Sequence, residues 1–304
     1  GPRITAIDGI VKAVINSLWP NTAFAVEPVR EGMSNHNYTV RVNGAQYFAQ
    51  FSAPSSEEFS ALGASRSGRV SLSRKAHELG IGPAVIADGE FEGYQFRVSD
   101  FAGASLSVYQ GSLPEEAICA LGRALSVLHG SAPVAGAYSW AAHPTQGARR
   151  FCDEMVSTTS ELRQWRELTL NVCRHVDSLR NDYPLRPVHV DLVPENILWD
   201  GHRIYLVDWE YSGMGDPLYD LADFLAKNRV SEGAAASLVH EWGGRFEDVR
   251  RVLLAYLPLA ILREAVWACR ALELGWRDDV DYFTYAAGRA SDAERILEQD
   301  TWPF

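Results

Sequence analysis

A stretch between His189 and Asp220 holds the residues of this sequence whose types and spacing could do chemistry. It reads HVDLVPENILWDGHRIYLVDWEYSGMGDPLYD, with an H-x-D-x-x-x-x-N motif, a strand-like IYLV and a second acidic cluster, Asp-Trp-Glu. One carboxylate can orient an attacking hydroxyl, while another carboxylate and an amide can hold Mg²⁺, which prefers oxygen ligands. Phosphoryl transfer needs this set, because its chemistry is mainly positioning and charge neutralisation. The alternative is a polar turn between two buried strands, and the intervals around IYLV favour the chemical interpretation.

The elements before this stretch are predicted to be mostly strands. An amphipathic helix over residues 5–18 precedes three alternating segments, FAVEPVREG, NYTVRVNG and AQYFAQFSA. The Asn43-Gly44 pair between the last two is typical of a two-residue hairpin. A Ser-rich loop over 53–67 and a helix over 70–79 follow, and then two more strands in PAVIADG and YQFRVSDF.

From Pro114 onward, apolar residues recur at helical spacing, except around the catalytic stretch. The order of five strands plus a helix, followed by a mainly helical part, predicts an α+β protein with two lobes. We predict that residues 1–102 form the first lobe and residues 103–304 the second, with the boundary near 101–105.

Composition restricts the class of protein. Of 304 residues, 47% are hydrophobic and 22% charged, as in an ordinary globular protein, and we expect no apolar run to be long enough to span a bilayer. The net charge of −11 argues against a nucleic-acid surface and is compatible with a cationic small substrate. The four cysteines form no C-x-x-C pair and the N-terminus has no secretory pattern, so we expect reduced thiols and a cytoplasmic location.

Four blocks resemble the aminoglycoside phosphotransferase/choline kinase family, and bacterial choline and ethanolamine kinases most closely. They are EGMSNHNYTVRVNG at 31–44, HELGIGPAVI at 77–86, VSDFAGASL at 98–106 and the stretch from 189 to 224. The resemblance implies a two-lobed protein-kinase-like fold, with a five-stranded antiparallel sheet plus a helix in the first lobe and a larger, mainly helical second lobe. It also implies ATP and Mg²⁺ as cofactors and a small alcohol as acceptor.

The resemblance also implies roles in the catalytic stretch. Asp191 is the expected catalytic base, or the residue that orients the substrate hydroxyl, and Asn196 and Asp208 are the expected Mg²⁺ ligands. For His189 and Asp220 it implies structural roles, since both would hold the backbone of the loop.

The nucleotide site is expected in the first lobe. Ser34 and the backbone around Asn35 resemble the loop that covers the terminal phosphates, although a G-x-G-x-x-G pattern is missing. Adenine is expected to bond to the backbone of Asp100 and Ala102, where the lobes connect.

Two positions depart from the family pattern. The third strand should carry a Lys or Arg for the α- and β-phosphates, yet that position is Gln50, and the partner Glu of the next helix falls on or near Arg69. One interpretation is that Arg69 reaches the phosphates with help from Gln50. The other is a displaced helix, which would leave weak nucleotide binding or a protein without catalytic activity.

The acceptor pocket is expected at the acidic cluster and at the C-terminal segments ILREAVWACRA and DYFTYAAGR, which resemble the helices that close the choline pocket in the family. A cationic amino alcohol would use aromatic faces and a carboxylate, and the candidates are Glu210, Tyr211, Trp267, Tyr282 and Tyr285. Each aromatic residue could equally belong to the core.

Another hydroxylated metabolite, such as an aminoglycoside, homoserine or a sugar, is the alternative acceptor. It is favoured by Asp278, Asp279 and Asp281 in WRDDVDY, although an exposed charged loop would explain that run as well. A ligand-binding protein without turnover is the third hypothesis.

Overall fold

The computed structural model describes residues 6–29, 35–52, 62–64, 66–137, 139–156 and 159–304. Its N-terminal elements are α1 (Ala6–Leu18), β1 (Phe24–Val29), β2 (Asn35–Val42), β3 (Ala45–Ser52), α2 (Arg66–Glu78), β4 (Val85–Phe91) and β5 (Tyr94–Asp100). The five strands form one antiparallel sheet in the order β1-β2-β3-β5-β4. The predicted sheet and helix of the first lobe are therefore confirmed.

The predicted hairpin at Asn43 and Gly44 joins β2 to β3. Both residues have positive φ, 50° and 78°, as a two-residue turn with matching twist requires. Helix α2 begins at residue 66, four residues before the predicted start. Most of the predicted Ser-rich loop lies outside the described residues.

The second lobe is mainly helical. Its helices among the described residues are α3 (Glu115–Gly130), α4 (Pro144–Glu154), α5 (Ser160–Leu179), α6 (Pro217–Lys227), α7 (Glu232–Trp242), α8 (Phe246–Leu274) and α9 (Tyr282–Leu297). The predicted division into residues 1–102 and 103–304 agrees with the change from mainly strands to mainly helices, and it remains a prediction.

Short strands position the catalytic stretch. Strand β6 (Ala104–Ser105) pairs with β8 (Ile197–Trp199), which pairs with β9 (Ile204–Leu206), and β7 (Arg186–Val188) pairs with β10 (Gly213–Gly215). The connection between the lobes is thereby hydrogen-bonded to the strand that follows the H-x-D loop.

A glycine permits this attachment. Gly103 has a φ of 129°, and a Cβ built on it would lie 2.8 Å from the carbonyl oxygen of Trp199. A larger residue would be strained and would clash with backbone, so glycine is required at the lobe connection.

Helix α8 is long and apolar enough to cross a membrane by length and composition, with a mean hydropathy of 1.7 in its most apolar window. The expectation that no apolar run is long enough to span a bilayer is therefore wrong by length and composition. Inside the protein, 72% of that window is buried, and the helix packs against α6, α5 and α9. It serves as the central core helix of the second lobe.

Candidate active site

The loop after β7 holds the carboxylate and the amide expected to do chemistry next to each other. The side-chain amide of Asn196 donates to the backbone oxygen of Asp191 at 2.8 Å and to Oδ2 of Asp191 at 3.1 Å. A single 3-10 turn, Pro194–Asn196, creates this approach. The Asp191 carboxylate is thereby fixed in orientation while it remains partly exposed.

A buried carboxylate fixes the backbone of this loop by hydrogen bonds. Asp220 is fully buried and accepts from the backbone N–H groups of His189 at 2.9 Å and Val190 at 2.8 Å. It also lies 2.8 Å from Nε2 of His129, whose Nδ1 accepts from the indole N–H of Trp242 at 2.9 Å. Because Nδ1 accepts from Trp242, Nε2 carries the ring N–H and donates it to Asp220. The geometry matches the structural role that the resemblance implied for Asp220.

His189 connects the loop to the second acidic cluster. It is fully buried, its Nε2 lies 2.8 Å from the carbonyl oxygen of Val207, and its Nδ1 accepts from the backbone N–H of Asp191 at 3.1 Å. Burial lowers the pKa of His189, so the ring is neutral. The side chain acts as a spacer between the two acidic segments, which matches the structural role expected for it.

Backbone strain is concentrated here. Val190 has a φ of 60°, a conformation that is costly for a β-branched residue. Its N–H is one of those bound by Asp220, so the carboxylate stabilises the strained conformation. The strained residue lies directly before Asp191, the expected catalytic carboxylate.

Replacing Asp220 with alanine is expected to lower the free energy of unfolding by about 3–5 kcal/mol, since it removes a buried anion and leaves its donors without partners. Urea denaturation measures the difference. The control is Asp153→Ala on the exposed face of α4, expected to change the free energy by no more than about 0.5 kcal/mol. Equal effects of both substitutions would contradict the bracing role.

Lys227, at the end of α6, is a site residue that the sequence analysis missed. Its ammonium lies 2.9 Å from Oδ1 of Asp223 and 3.4 Å from Oδ1 of Asp191. Burial alone would lower the pKa of Lys227, but the carboxylates of Asp223, Glu264 and Asp191 outweigh it and raise that pKa well above its usual value. Lys227 is therefore a buried, fully charged cation beside the expected catalytic carboxylate.

Lys227 and the burial of Asp191 shift the pKa of Asp191 in opposite directions. Burial raises the pKa of Asp191 to about 7, and the carboxylate of Asp208 adds to this, while the Lys227 ammonium lowers it. A carboxyl with a pKa near neutrality accepts a proton more readily than an exposed aspartate.

The expected metal ligands face one cavity. Asn196 and Asp208 both line a cleft of about 520 Å³, together with Asp191. Oδ1 of Asp208 is buried without a partner among the described residues, and Asp208 has a φ of 64°. A buried carboxylate oxygen without a partner, in the same cleft as the side-chain amide of Asn196, fits a Mg²⁺ ion, which prefers oxygen ligands.

A search of the described part of the chain finds no group of three or more His, Cys, Asp or Glu side chains arranged around a metal site. That result is compatible with Mg²⁺, which commonly takes one or two carboxylates and completes its shell with water and substrate phosphates.

The prediction that Glu210 contacts substrate is wrong for this geometry. Glu210 is 1% exposed and does not line the 520 Å³ cleft. The prediction assumed that a strand continues through Asp208, which would put both side chains on one face. Strand β9 instead ends at Leu206 and the backbone reverses at Asp208, so the alternation fails. Burial, together with Asp208, raises the pKa of Glu210 well above its usual value.

Three of the four predicted aromatic residues line the cleft, namely Tyr211, Trp267 and Tyr285. The hydroxyl of Tyr285 donates to Glu264, another lining residue, at 2.5 Å. Tyr282 is 1% exposed and packs edge-on against Trp267 with ring centroids 5.7 Å apart. Tyr282 lies behind the wall of the cleft and does not line it. The prediction that Tyr282 contacts the substrate is corrected accordingly.

The three carboxylates of the acidic run WRDDVDY do not line the cleft, although Arg277 of the same run donates to the backbone oxygen of Asn35 at 3.3 Å. Asp279 bonds Arg277 at 2.7 Å, Asp281 caps α9 through the N–H of Thr284 at 3.0 Å, and Asp278 is exposed. None of the three lines the 520 Å³ cleft. The observation that favoured an aminoglycoside acceptor therefore has a structural explanation.

The first lobe covers the other side of the cleft. Asn35 lines it and accepts from Ser52 Oγ at 2.9 Å, whereas Ser34 lies outside the described residues. The N–H of Asp100 donates to the carbonyl of Ala84 at 2.9 Å. A nucleotide base could therefore use only the carbonyl of Asp100, together with the backbone of Ala102.

Gln50 and Arg69 lie deeper in the first lobe. Gln50 is on β3, opposite Arg97 of β5 in the sheet register, and both line a smaller cavity that also includes Asp208. Arg69 is on α2 and 2% exposed, and it bonds Asp88 at 3.3 Å. Sequence reasoning missed Arg97, which is far from Gln50 along the chain.

Known proteins match the chain over different lengths. It is 42% identical over 66 residues to Protein LicA from Haemophilus influenzae, which is 22% of this chain and 20% of that protein. It is 28% identical over 136 residues to thiamine kinase from Shigella boydii serotype 4, which is 44% of each. The matches thus span less than half of these curated relatives.

A solved structure agrees over nearly the whole chain. Choline kinase LicA from Streptococcus pneumoniae superposes with a TM-score of 0.72 at 20% identity, covering 97% of this chain and 100% of that one. The likeness confirms the predicted protein-kinase-like fold. The model of the phosphotransferase enzyme family matches residues 25–256, which include the sheet, the H-x-D loop and the Asp208 cluster. The chain therefore belongs to the phosphotransferase enzyme family.

Proposed function

We propose that this protein transfers the terminal phosphoryl group of ATP to the hydroxyl of a small cationic alcohol, with choline or a related amino alcohol as the preferred acceptor. The observation that supports this most directly is the shared cleft, in which Asp191, Asn196 and Asp208 face three aromatic side chains. The phosphotransferase family match and the choline kinase fold support the same reaction class.

In the proposed reaction, Asp191 accepts a hydrogen bond from the acceptor hydroxyl and aligns it with the phosphorus. The new oxygen–phosphorus bond forms as the bond to the leaving ADP breaks, and the hydroxyl proton passes to Asp191 late in a loose transition state. Lys227, 3.4 Å from Asp191, keeps an opposing charge beside the carboxylate and fixes its position.

Asn196 and Asp208 would hold Mg²⁺. A bound Mg²⁺ supplies positive charge against the phosphate oxygens as charge develops on the leaving group. The hydrogen bonds from Asn196 to Asp191 and the His189 spacer keep the base and the expected metal ligands at a fixed separation.

The lining of the cleft favours a cationic acceptor. Tyr211, Trp267 and Tyr285 contribute aromatic rings, and Glu264 contributes a carboxylate that Tyr285 and Arg289 also contact. Aromatic faces attract quaternary and primary ammonium groups by about 0.5–2 kcal/mol. The enzymes named choline kinase and thiamine kinase among the similar proteins act, by those names, on alcohols that carry a cationic nitrogen.

Thiamine is the second candidate acceptor, because a thiamine kinase matches 44% of the chain. A larger acceptor needs more room than choline, and a cleft of about 520 Å³ is large enough for either. Competition between the two alcohols for one enzyme distinguishes them.

Replacing Trp267 with leucine is expected to raise the KM for choline by about 2- to 30-fold, the range that corresponds to the loss of one cation–π contact. An uncharged alcohol of the same shape, in which a tert-butyl group replaces the trimethylammonium group, should be affected much less. Trp267→Phe is the matched control and should keep most of the choline affinity. An equal increase in KM for both alcohols would show that Trp267 only shapes the cleft.

Acceptor choice is tested by ADP release from Mg-ATP with choline, ethanolamine, thiamine, homoserine, kanamycin and a hexose at equal concentration. We expect the highest kcat/KM with choline. Preference for an uncharged sugar would exclude the aromatic ammonium site. Preference for kanamycin would favour the alternative acceptor despite the position of the WRDDVDY carboxylates.

A further inference from the structure

The strand position that should carry a phosphate-binding cation is uncharged in this chain, and a cation lies directly across the sheet from it. Gln50 of β3 and Arg97 of β5 are opposite each other in the antiparallel register. Side chains of such pairs emerge about 4.5–5.5 Å apart on one face. Both residues line the smaller cavity between the sheet and the Asp208 segment.

Arg97 is held by an ion pair of its own. Its guanidinium lies 3.1 Å from Oδ2 of Asp88 on β4 and donates to Ser73 of α2. Asp88 is opposite Arg97 in the register of β4 and β5. The expected pair was a cation on β3 and a Glu on the next helix. Here the cation, Arg97, is on the neighbouring strand β5, and its carboxylate partner, Asp88, is on β4.

Two buried guanidinium groups lie in this region, near the carboxylates of Asp88, Asp208 and Glu210. Arg69 bonds the other oxygen of Asp88 at 3.3 Å, so two guanidinium groups share one carboxylate. Arg69 is 2% exposed and Arg97 7% exposed. Nε of both arginines and Nη1 of Arg69 have no partner among the described residues. Asp208 faces Arg97 across the cavity, where it is expected to hold Mg²⁺.

Buried guanidinium N–H groups without hydrogen-bond partners are costly, so they indicate a ligand that supplies acceptor oxygens. Arginine presents N–H donors in a fixed fork that suits phosphate oxygens. The cavity between the sheet and Asp208 is about 20 Å³, room for one oxygen atom beside Arg97, and the phosphates of the proposed nucleotide would lie in the 520 Å³ cleft that Asp208 also lines.

We propose that Arg97, fixed by Asp88 and Ser73 and assisted by Arg69, binds the phosphates of the nucleotide in place of the cation missing at Gln50. This inference rests on the proposed function and adds a residue that the sequence pattern does not identify. It also replaces the hypothesis that Arg69 alone compensates for Gln50.

The test compares ADP with adenosine by calorimetry, because the two ligands share the base and ribose and differ in phosphate. Arg97→Gln is expected to weaken ADP binding about 10- to 150-fold, as for loss of a charged hydrogen bond, and to leave adenosine binding unchanged. Gln50→Lys combined with Arg97→Gln should restore most of the ADP affinity, since it returns the cation to β3. Arg41→Gln, at an exposed position of β2, is the control and should bind both ligands normally.

The possible results separate this inference from the proposed function. If the wild-type protein binds neither adenosine nor ADP, the proposed function fails, and the inference fails with it. If the wild type binds both and folded Arg97→Gln keeps its preference for ADP, only the inference is overturned. Equal weakening of both ligands also overturns it, because Arg97 would then only shape the pocket. If Arg97→Gln does not fold, Arg97→Gln combined with Asp88→Asn removes both charges of the ion pair, and an unchanged ADP-to-adenosine ratio in that variant would overturn the proposal.

Discussion

An Asp191→Asn variant is expected to lose about 10²- to 10⁴-fold in kcat while it folds normally and binds nucleotide with nearly unchanged affinity. An amide has the size of the carboxylate but cannot take the hydroxyl proton. The hydrogen bond from Asn196 to the backbone oxygen of Asp191 persists in the variant, so the loop should keep its conformation. Steady-state ADP release measures kcat, and calorimetry with ADP measures binding.

Asp182→Asn, at an exposed position before β7, is the control for this substitution. It changes the same chemical group away from the cleft, and its kcat should equal that of the wild type. Asp191→Asn with turnover close to the wild type would show that another group takes the proton. A parallel loss of stability would make Asp191 a structural residue.

An Asp208→Ala variant is expected to weaken ADP binding in the presence of Mg²⁺ by at least about tenfold, since even partners outside the metal shell commonly contribute about 10–100-fold to metal affinity. Adenosine carries no phosphate to share with Mg²⁺, so its binding should not change. Titrations with ADP in excess Mg²⁺ and in EDTA separate the metal-dependent part.

Asp208→Asn is the matched variant, because it keeps an oxygen ligand and removes the charge. It should lie between the wild type and Asp208→Ala in its requirement for Mg²⁺. If Asp208→Ala binds ADP equally well with Mg²⁺ and with EDTA, and as tightly as the wild type, Asp208 is not a metal ligand. Another explanation would then be needed for the lack of a hydrogen-bond partner at the buried Oδ1 of Asp208 among the described residues.

The sequence predicted the elements and the catalytic loop well, because their signals are local. The Asn43-Gly44 hairpin, the alternating strands and the H-x-D-x-x-x-x-N spacing each depend on neighbours within a few residues. The structural roles expected for His189 and Asp220 match the hydrogen bonds observed.

The errors arose where a local rule was extended past the end of an element. Strand alternation was applied to Glu210, although β9 ends at Leu206 and Asp208 reverses the backbone. Residue type made Tyr282 and Tyr285 equal candidates for the acceptor pocket, but could not show that of the two only Tyr285 lines the cleft.

The missed residues needed information from across the fold. Arg97 meets Gln50 only through the register of β3 and β5, which no motif in the sequence specifies. Lys227 did have a signal. Asp220, Asp223 and Lys227 are charged residues at three- and four-residue spacing in the otherwise apolar helix α6, so they share the face directed at the loop.

The central claim is phosphoryl transfer to a small cationic alcohol, and the most direct test is ³¹P NMR of the wild-type protein with Mg-ATP and choline. We expect the γ-phosphate signal of ATP to be replaced by equal amounts of ADP and a choline phosphomonoester, with no such change for Asp191→Asn. ADP with inorganic phosphate, at the same rate with and without choline, would show hydrolysis instead of transfer. Unchanged ATP with every alcohol of the acceptor panel would contradict the account as a whole.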